Sequence, residues 1–353
     1  MGQGTGDLGG RFLRWLPFGV MAVIGTADFL GGPGAGYLPL LSLGPAFASL
    51  SSGVRRTAWI GLLSVGLCVA LAVYNHLLGS RGSYLALLSI VGVTAAAMLA
   101  AESRERKERE LHDIRTVAEV AQRVLLRPVP RRAGSIHAAV SYTSATARAR
   151  IGGDLYEVVT TPDGVRVIVG DVQGKGLDAV ETAAVVLGAF REAAYDEPDL
   201  PGVALRLERA LSRHLTGEQF VTAVLAELGP GDKAGLLNYG HPPPLMIRPD
   251  GRTELAEPPD VAPPLGLMDL TTSRPPSFEI DFGPGDQMLL YTDGVIEARD
   301  AAGRFYPLVD RAHLLTAAEP QEALDKLQND LIEHVGGPIT DDAAMLLLRH
   351  RHK

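Results

Sequence analysis

The sequence predicts two structural classes in one chain, an all-helical transmembrane region followed by an α+β domain. Charged residues are sparse over the first hundred positions and become dense from Glu102 onward. After Pro130, short apolar runs typical of strands alternate with turn sequences, and two adjacent amphipathic helices interrupt them. Strands in meanders with helices inserted as a pair favour an α+β layered domain over alternating βαβ units.

About four apolar segments of the first hundred residues are candidate membrane spans. They are Leu13–Leu30, Tyr37–Leu50, Ala58–Leu78 and Tyr84–Ala101. The last two are long enough to cross a hydrocarbon core of roughly 30 Å. Pro39 and Pro45 interrupt the second segment, which predicts a kinked or re-entrant element there. A cleaved signal peptide is the alternative for the first span alone. A buried soluble helical domain is the alternative for the whole stretch, but it would need polar faces that Ala58–Leu78 lacks.

Arginines flank these segments asymmetrically. They lie before the first span, before the third and after the last, at Arg11, Arg14, Arg55, Arg56, Arg104 and Arg106. The positive-inside tendency predicts that these groups are cytoplasmic, as in a multi-pass cell-membrane protein with four spans and a cytoplasmic catalytic domain. Asp28, near the end of the first span, is predicted to be a solvated interfacial residue rather than a functional intramembrane carboxylate.

Charge and cysteine content exclude several functional classes. The formal net charge of −8 excludes a strongly basic nucleic-acid-binding surface, so no nucleic-acid partner is expected. The lone cysteine, Cys68, excludes a disulfide framework and a thiol-based metal site. Because it lies in the middle of a span, it is predicted to be a small apolar filler.

A linker separates the membrane region, residues 1–101, from the domain at residues 131–353. This linker, residues 102–130, carries an apolar stripe at helical spacing, formed by Leu111, Ile114, Ala118, Ala121 and Leu125. Pro128 and Pro130 end the predicted helix. Two heptads are fewer than a coiled coil needs. A homodimer through residues 102–126 and a helix packed on its own domain therefore both remain possible.

Four glycine-rich or turn-like segments of the domain contain aspartates. These aspartates are Asp154, Asp171, Asp293 and the adjacent pair Asp341 and Asp342. Three segments adjoin apolar runs that indicate buried strands, where uncompensated carboxylates are costly. A pair of divalent cations would compensate them, and hard oxygen ligands favour Mg²⁺ or Mn²⁺. The alternative for any single segment is an ordinary Asp-Gly hairpin turn.

The order of these motifs resembles the SpoIIE-like branch of the metal-dependent (PPM, type 2C-like) serine/threonine protein phosphatases, over roughly Val117 to Arg349. The landmarks are Gly152-Gly153-Asp154-Leu155-Tyr156, Gly170-Asp171-Val172-Gln173-Gly174-Lys175-Gly176, Phe220-Val221-Thr222, Gly240-His241-Pro242-Pro243-Pro244, Leu265-Gly266-Leu267, Gly285-Asp286 with Tyr291-Thr292-Asp293-Gly294-Val295, and Asp341-Asp342. The chain departs from the family pattern at Tyr239, where alanine is usual, and at Ala343-Ala344. Neither departure removes a carboxylate.

The resemblance implies a four-layer α-β-β-α sandwich with two Mn²⁺ or Mg²⁺ ions at one end of its paired sheets. It implies that Asp171 bridges the ions beside the carbonyl of Val172, and that Asp293 and Asp341 ligate one of them. Asp154 would support the other ion, and Asp342 could replace Asp341. The implied reaction is hydrolysis of phosphoserine or phosphothreonine by metal-activated water. The implied partner is a phosphorylated regulatory protein, an anti-sigma-factor antagonist in SpoIIE-like systems.

Two other functions fit parts of the sequence. A sensor histidine kinase would use His112 as its phosphoacceptor, but it would leave Asp293 and the final aspartate pair unexplained. A non-catalytic membrane scaffold with a phosphatase-like fold would be expected to lose a metal carboxylate, and none is lost. His241 is predicted to stabilise a turn rather than to touch substrate. The proline-rich stretch Glu254 to Pro276 is predicted to be a mobile flap or a loop near the site.

Overall fold

A computed structural model describes residues 5–32, 36–143, 153–215, 219–267, 275–337, 339 and 341–351, with the side chains at 5–12, 111–116, 118, 119 and 123 left undescribed. The chain divides into two compact units, Met1–Asp113 and Ile114–Lys353. One helix, Arg81–Leu125, begins in the first unit and ends in the second. The last predicted span and the predicted linker helix are therefore one continuous helix.

The first unit is helical throughout its described residues. Its helices are α1 (Thr5–Gly31), a 3₁₀ helix (Leu38–Ser42), α2 (Leu43–Ser51), α3 (Val54–Tyr74) and the first part of α4 (Arg81–Leu125). Three helical segments are long and apolar enough to cross a membrane: Leu13–Gly31, Val54–Tyr74 and Arg81–Glu110. They coincide with the first, third and fourth predicted spans.

The second predicted span, Tyr37–Leu50, differs from the other three. It forms the 3₁₀ helix and the nine-residue helix α2, with Pro39 in the first turn of the former. At about 2.0 and 1.5 Å per residue these two elements extend for about 24 Å, which is shorter than a hydrocarbon core. The two prolines explain the broken helix, because proline lacks the N–H that a helix interior requires.

Hydrogen bonds connect α1 with α3 and α2 with α4 at one end of this unit. The guanidinium of Arg56, near the start of α3, donates to the carbonyl of Arg14 in α1 at 3.1 Å. Arg104 of α4 donates to the carbonyl of Ser49, at the end of α2, at 2.7 Å. The segment between α1 and α3 therefore returns the chain along the unit, and three arginine positions lie at the same end.

A buried polar pair lies elsewhere in the first unit. Asp28 is 2% exposed and accepts a hydrogen bond of 3.1 Å from the side-chain amide of Asn75, the residue that ends α3. The prediction of a solvated interfacial aspartate is therefore wrong, because packing of α3 against α1 brings an amide to the carboxylate. Cys68 is fully buried beside Ile24 and Leu71, which confirms its assignment as an apolar filler.

The second unit contains two antiparallel sheets. Its strands are β1 (Arg132–Ala133), β2 (Ile136–Thr143), β3 (Leu155–Thr161), β4 (Gly164–Val172), β5 (Val221–Leu228), β6 (Lys233–Tyr239), β7 (Leu245–Ile247), β8 (Thr253–Leu255), β9 (Phe278–Asp281), β10 (Gln287–Tyr291) and β11 (Ala343–His350). The strand orders are β1-β2-β11-β10-β7-β8 and β3-β4-β5-β6-β9. All pairings between these strands are antiparallel.

Helices cover the outer face of each sheet. The helices of this unit are α5 (Leu177–Asp196), α6 (Leu200–His214), α7 (Asp293–Ile296), a 3₁₀ helix (Leu308–Thr316) and α8 (Pro320–Val335). The pair α5 and α6 packs on the five-stranded sheet through Phe190 and Leu207. The second 3₁₀ helix and α8 pack on the six-stranded sheet, and a third core fills the space between the sheets. The predicted four-layer α-β-β-α sandwich is confirmed.

Part of the proline-rich stretch Glu254 to Pro276 lies next to the candidate site. Leu265 is fully buried and exchanges two backbone hydrogen bonds with Val221, at 2.8 and 2.9 Å, which is consistent with the predicted loop near the site. Residues 268–274 of this stretch lie outside the described residues. The sequence also did not predict β1, β8, α7 or the second 3₁₀ helix, because elements so short or irregular carry no periodicity.

Candidate active site

The four aspartate segments meet where the two sheets end side by side. Asp154 directly precedes β3, and Asp171 is the penultimate residue of β4, so the five-stranded sheet supplies both. Asp293 begins α7 just after β10, and the pair Asp341 and Asp342 directly precedes β11. Facing sheets thus bring together carboxylates that are up to 188 positions apart in the sequence.

These carboxylates line one cavity of about 320 Å³. Its described lining consists of Gly153, Asp154, Asp171, Val172, Gln173, Gly174, Lys175, Phe220, Thr222, Asp293, Asp341 and Asp342. All six residues predicted to take part in metal binding are among them. Gly152, the first glycine of the Gly-Gly-Asp motif, lies outside the described residues.

Burial and mutual repulsion perturb the carboxylates. Burial is the main reason why the pKa of Asp154 lies well above its ordinary value, and the neighbouring Asp171 raises it further. Burial, then Asp293 and Asp341, raise the pKa of Asp171 to about 7. Burial also raises the pKa of Asp293. The cluster therefore holds negative charge that the described protein groups do not fully compensate.

Two glycines allow the backbone segments to approach closely. A Cβ on Gly153 would lie 2.3 Å from the carbonyl oxygen of Val172 and 2.8 Å from a carboxylate oxygen of Asp171. A Cβ on Gly294 would lie 1.8 Å from the carbonyl oxygen of Asp342. Both distances are far below van der Waals contact, so only glycine fits at either position.

The adjacent aspartates near β11 have different surroundings. Asp341 is half exposed, and the ammonium of Lys175 contacts its two carboxylate oxygens at 3.0 and 3.1 Å. Asp342 is 3% exposed and accepts a hydrogen bond of 2.8 Å from the hydroxyl of Tyr142. That hydroxyl in turn accepts one of 2.9 Å from Gln122 of α4. Both aspartates line the cavity, but only Asp342 is also held from the protein side by Tyr142.

Threonine and histidine side chains support the site from behind. The hydroxyl of Thr292 donates to Asp154 at 2.8 Å. His241 is buried and joins the two sheets, with one ring nitrogen 3.0 Å from the hydroxyl of Thr222 and the other 3.1 Å from the carbonyl of Tyr291. Burial lowers the pKa of His241 to about 4, so the ring is neutral at physiological pH.

The turn that holds His241 is closed by Asn238. Its side chain accepts from the backbone N–H of His241 at 2.8 Å and donates to its carbonyl at 2.9 Å. The ring of His241 bonds across the two sheets and is not part of the cavity lining, so it is Asn238 that closes the turn, and the absence of a substrate contact by His241 stays a prediction. The side chain of His112, the phosphoacceptor of the kinase alternative, lies outside the described residues.

The donor chemistry of the cavity fits hard divalent cations. Within the described residues, no three acidic or histidine side chains stand close enough together to enclose a single ion. They surround a cavity instead, and every predicted ligand is a carboxylate or, at Val172, a carbonyl oxygen. The contact between Gly153 and that carbonyl would be lost with any larger residue. Oxygen donors and raised carboxylate pKa values together match Mg²⁺ or Mn²⁺.

Several supporting residues were not predicted from the sequence. Thr292 stands inside a recognised motif, so its polar side chain next to Asp293 was the available signal. Tyr142 and Gln122 belong to no motif, and the contact between Tyr142 and Asp342 joins residues 200 positions apart. Only the pairing of β2 with β11 brings Tyr142 close to Asp342.

Comparison with known proteins agrees with this architecture. The family described as "Stage II sporulation protein E (SpoIIE)" matches residues 161–351. The chain is 24% identical over 237 residues to Protein IcfG of Synechocystis sp., across 57% of this chain and 36% of IcfG. It therefore spans about a third of the length of that relative.

Solved structures share the fold of the second unit. The SiaA-PP2C domain of Pseudomonas aeruginosa matches with a TM-score of 0.58 and 18% identity, over 69% of this chain and 98% of that one. The RsbU and RsbW domains of Rv1364c from Mycobacterium tuberculosis match with a TM-score of 0.52 and 24% identity, over 61% and 60% of the two chains. With more than half of its residues matched by the family, the chain belongs to the SpoIIE family, and it shares its fold with a PP2C domain.

Proposed function

We propose that this protein is a membrane-anchored, metal-dependent protein serine/threonine phosphatase. The observation that carries the proposal is the single cavity at the ends of both sheets, lined by five aspartates in a PP2C-type fold. A scaffold that had lost catalysis would not need to keep buried carboxylates whose repulsion raises their pKa values.

The metal ligands we propose are those that face the cavity. Asp154, Asp171, Asp293, Asp341 and the carbonyl of Val172 would hold two ions. When bound, Mn²⁺ or Mg²⁺ ions lower the pKa of a water and hold phosphate oxygens for in-line attack. Asp342, which already accepts from Tyr142, would orient its neighbour rather than bind an ion.

The protein groups behind the ligands fix their geometry. Thr292 donates a hydrogen bond to one carboxylate oxygen of Asp154 and so fixes the orientation of that side chain. His241 ties the end of β5 to the end of β10 through Thr222 and Tyr291. Because both sheets supply carboxylates, this tie keeps the two halves of the site at a fixed separation. Such fixed positioning is what in-line phosphoryl transfer requires.

The first unit supports membrane anchoring. Many of its large apolar side chains are exposed, including Trp15 (70%), Leu30 (78%) and Leu88 (75%), as expected of lipid-facing residues. Arg14, Arg56 and Arg104 lie at one end of the unit, which we propose is the cytoplasmic end of a multi-pass region. The catalytic unit, which follows this end in the sequence, would then be cytoplasmic.

The substrate class follows from family membership. We propose a phosphorylated regulatory protein, most specifically the phosphoserine form of an anti-sigma-factor antagonist. The presence of RsbU and RsbW domains in one similar chain supports this choice.

Dimerisation through residues 102–126 stays a separate proposal. Within the second unit, Ala121 and Leu125 of this helix pack against Val180 of α5, which favours a helix that serves its own domain.

Phosphate release from a phosphoserine protein by the purified full chain in detergent micelles tests the function. We expect no release in chelator and restored release after addition of Mn²⁺ or Mg²⁺. A phosphotyrosine peptide is the control for substrate class. Release that survives thorough chelation, or that only Zn²⁺ restores, would contradict the metal assignment. No release under any metal condition would contradict the phosphatase assignment.

A further inference from the structure

One cation stands among the acidic residues of the active site. Of the described residues that line the cavity, five are aspartates and Lys175 alone carries positive charge. Its ammonium lies 3.0 Å from one carboxylate oxygen of Asp341 and 3.1 Å from the other. The side chains of Lys175 and Asp341 are 37% and 51% exposed. This ion pair is therefore at the mouth of the cavity, in contact with solvent.

The loop that carries Lys175 allows it to change partner. Gly174 and Gly176 flank it with φ angles of 109° and 91°, and no atom lies within 4 Å of the position of either missing Cβ. There is therefore open space on the Cβ side of both glycines, although the carbonyl of Gly176 accepts a hydrogen bond from the N–H of Val180 at 3.2 Å. Solvent-exposed ion pairs contribute only about 0–1 kcal/mol, so separating Lys175 from Asp341 costs little.

Binding of a phosphate group to this cavity requires compensating positive charge. The phosphomonoester of the substrate is a dianion, and the cavity itself is rich in carboxylates. Metal ions would neutralise the carboxylates, and an ion that binds Asp341 competes with Lys175 for its carboxylate oxygens, because the ammonium contacts both of them. The freed ammonium is then at the mouth of the cavity, within reach of an incoming phosphate, where a charged donor forms strong hydrogen bonds.

We propose that Lys175 is a phosphate-binding residue that exchanges partners, pairing with Asp341 before the site is loaded and with a phosphate oxygen afterwards. This inference rests on the proposed phosphatase function. It gives Lys175 two effects of opposite sign. The residue competes with the metal for Asp341, and it adds affinity for the phosphate group of substrate or product.

Replacement of Lys175 by methionine separates the two effects. Lys175→Met keeps the length of the side chain but removes its charge. Because an exposed ion pair is lost, we expect Mn²⁺ to bind about two- to fivefold more tightly in the absence of phosphate. Because a charged hydrogen bond to phosphate is lost, we expect the inhibition constant for inorganic phosphate to rise roughly ten- to a hundredfold, with KM for the phosphoprotein rising in parallel.

The experiment uses the full chain in detergent micelles. Free Mn²⁺ is measured by electron paramagnetic resonance during titration, and phosphate inhibition is measured on the Mn²⁺-loaded protein. Lys175→Arg, which retains the charge, should restore most of the phosphate affinity. Lys233→Met is the matched control, since Lys233 also pairs with a carboxylate, Glu279, at 2.9 Å but is well exposed on β6. It should change neither constant.

The outcomes are distinguishable. Tighter Mn²⁺ binding together with weaker phosphate binding in Lys175→Met supports the exchange of partners. Two unchanged constants overturn it, as does a loss of affinity for both ligands with a lowered Tm, which would show a purely structural role. If the unaltered protein binds no Mn²⁺ and releases no phosphate, the proposed function fails, and the inference fails with it.

Discussion

Each unit of the molecule buries an aspartate, and the two residues have different surroundings. Asp28 of the first unit is 2% exposed and Asp154 of the second is 3% exposed. Each accepts a hydrogen bond from a neutral side chain, Asn75 for Asp28 and Thr292 for Asp154. Asp154, however, also lies near Asp171 and the aspartates of the other sheet, so that its pKa is raised first by burial and further by these neighbours.

This difference separates a structural carboxylate from a functional one. A buried acid satisfied by one amide contributes to packing, so its removal should cost stability. A cluster of buried acids stores repulsion that a bound cation can relieve, so removal of one member should cost function but not folding. The predictions below test this contrast, from the largest expected effect to the smallest.

Neutralising a carboxylate of the cluster should abolish turnover. Asp171→Asn and Asp293→Asn keep the side-chain shape but remove charge that the proposed ions require, and we expect kcat to fall by roughly 10²–10³-fold. The Tm in chelator should not fall, because a repulsive charge is removed. Phosphate release and calorimetry on the full chain measure both quantities.

Two controls accompany these variants. Asp250→Asn alters an exposed aspartate paired with Arg252, outside the cavity, and should leave turnover unchanged. His112→Ala should also retain activity, since no proposed step uses His112. Normal turnover by both cluster variants, combined with an inactive His112→Ala protein, would refute the phosphatase assignment and favour the kinase alternative.

Removal of Asp28, the isolated carboxylate, should lower the stability of the first unit without lowering turnover. Asp28→Ala leaves the amide of Asn75 without its acceptor, which should destabilise the first unit by about 1–2 kcal/mol. Turnover per folded molecule should be unchanged. Both tryptophans of the chain, Trp15 and Trp59, lie in this unit, so their fluorescence during heating reports its unfolding.

Asp28→Asn is the matched variant, because an asparagine oxygen can still accept from Asn75. It should unfold at nearly the wild-type temperature. If Asp28→Ala were as stable as wild type but inactive, Asp28 would be a functional intramembrane carboxylate, and the contrast between the two units would not hold.

The stability of the metal-free second unit should fall as pH rises. The pKa of Asp171 is about 7 in the folded chain against an ordinary value of 3.8, so the folded state binds more protons than the unfolded state between these values. Stability contributed by the protonated form is therefore lost from about pH 4 to pH 7 and is constant above.

Calorimetry in chelator at pH 5.5 and pH 8 measures this effect. The Tm of wild type should decrease by a few degrees more than that of Asp171→Asn, since about 1 kcal/mol corresponds to roughly 2–4 °C for a domain of this size. The difference should disappear in Mn²⁺. Equal decreases in the two proteins would show that Asp171 does not titrate in this window.

The smallest effect on turnover is expected for Tyr142, which contacts the aspartate cluster through Asp342. Tyr142→Phe removes the hydroxyl that donates to Asp342 and accepts from Gln122. Burial, then Asp342, raise the pKa of Tyr142, so the hydroxyl stays protonated. Loss of a hydrogen bond to a carboxylate should lower kcat by up to about tenfold. Gln122→Leu, which leaves that bond in place, should have a smaller effect, and the reverse order would contradict this arrangement.

The sequence by itself determined those structural features that appear as a local pattern of residue types along the chain. Length and composition predicted the spans, and alternating apolar residues predicted nearly every long strand and helix of the second unit within a few positions. The aspartates were identifiable because each stands beside glycine or turn residues and three of their four segments adjoin an apolar run, which is a local signature. All of the predicted ligands line one cavity.

Only the tertiary structure decided the contacts between distant segments. The hydrogen bond that Asp28 accepts comes from Asn75, 47 positions away, and no local pattern predicted it. The prolines of the second predicted span indicated a kinked or re-entrant element, but not where its 3₁₀ helix ends and α2 begins. Different surroundings distinguish Asp341 from Asp342, since Lys175 comes from another loop and Tyr142 from a neighbouring strand. Such pairings depend on how the sheets stack, and a linear sequence contains no local record of that arrangement.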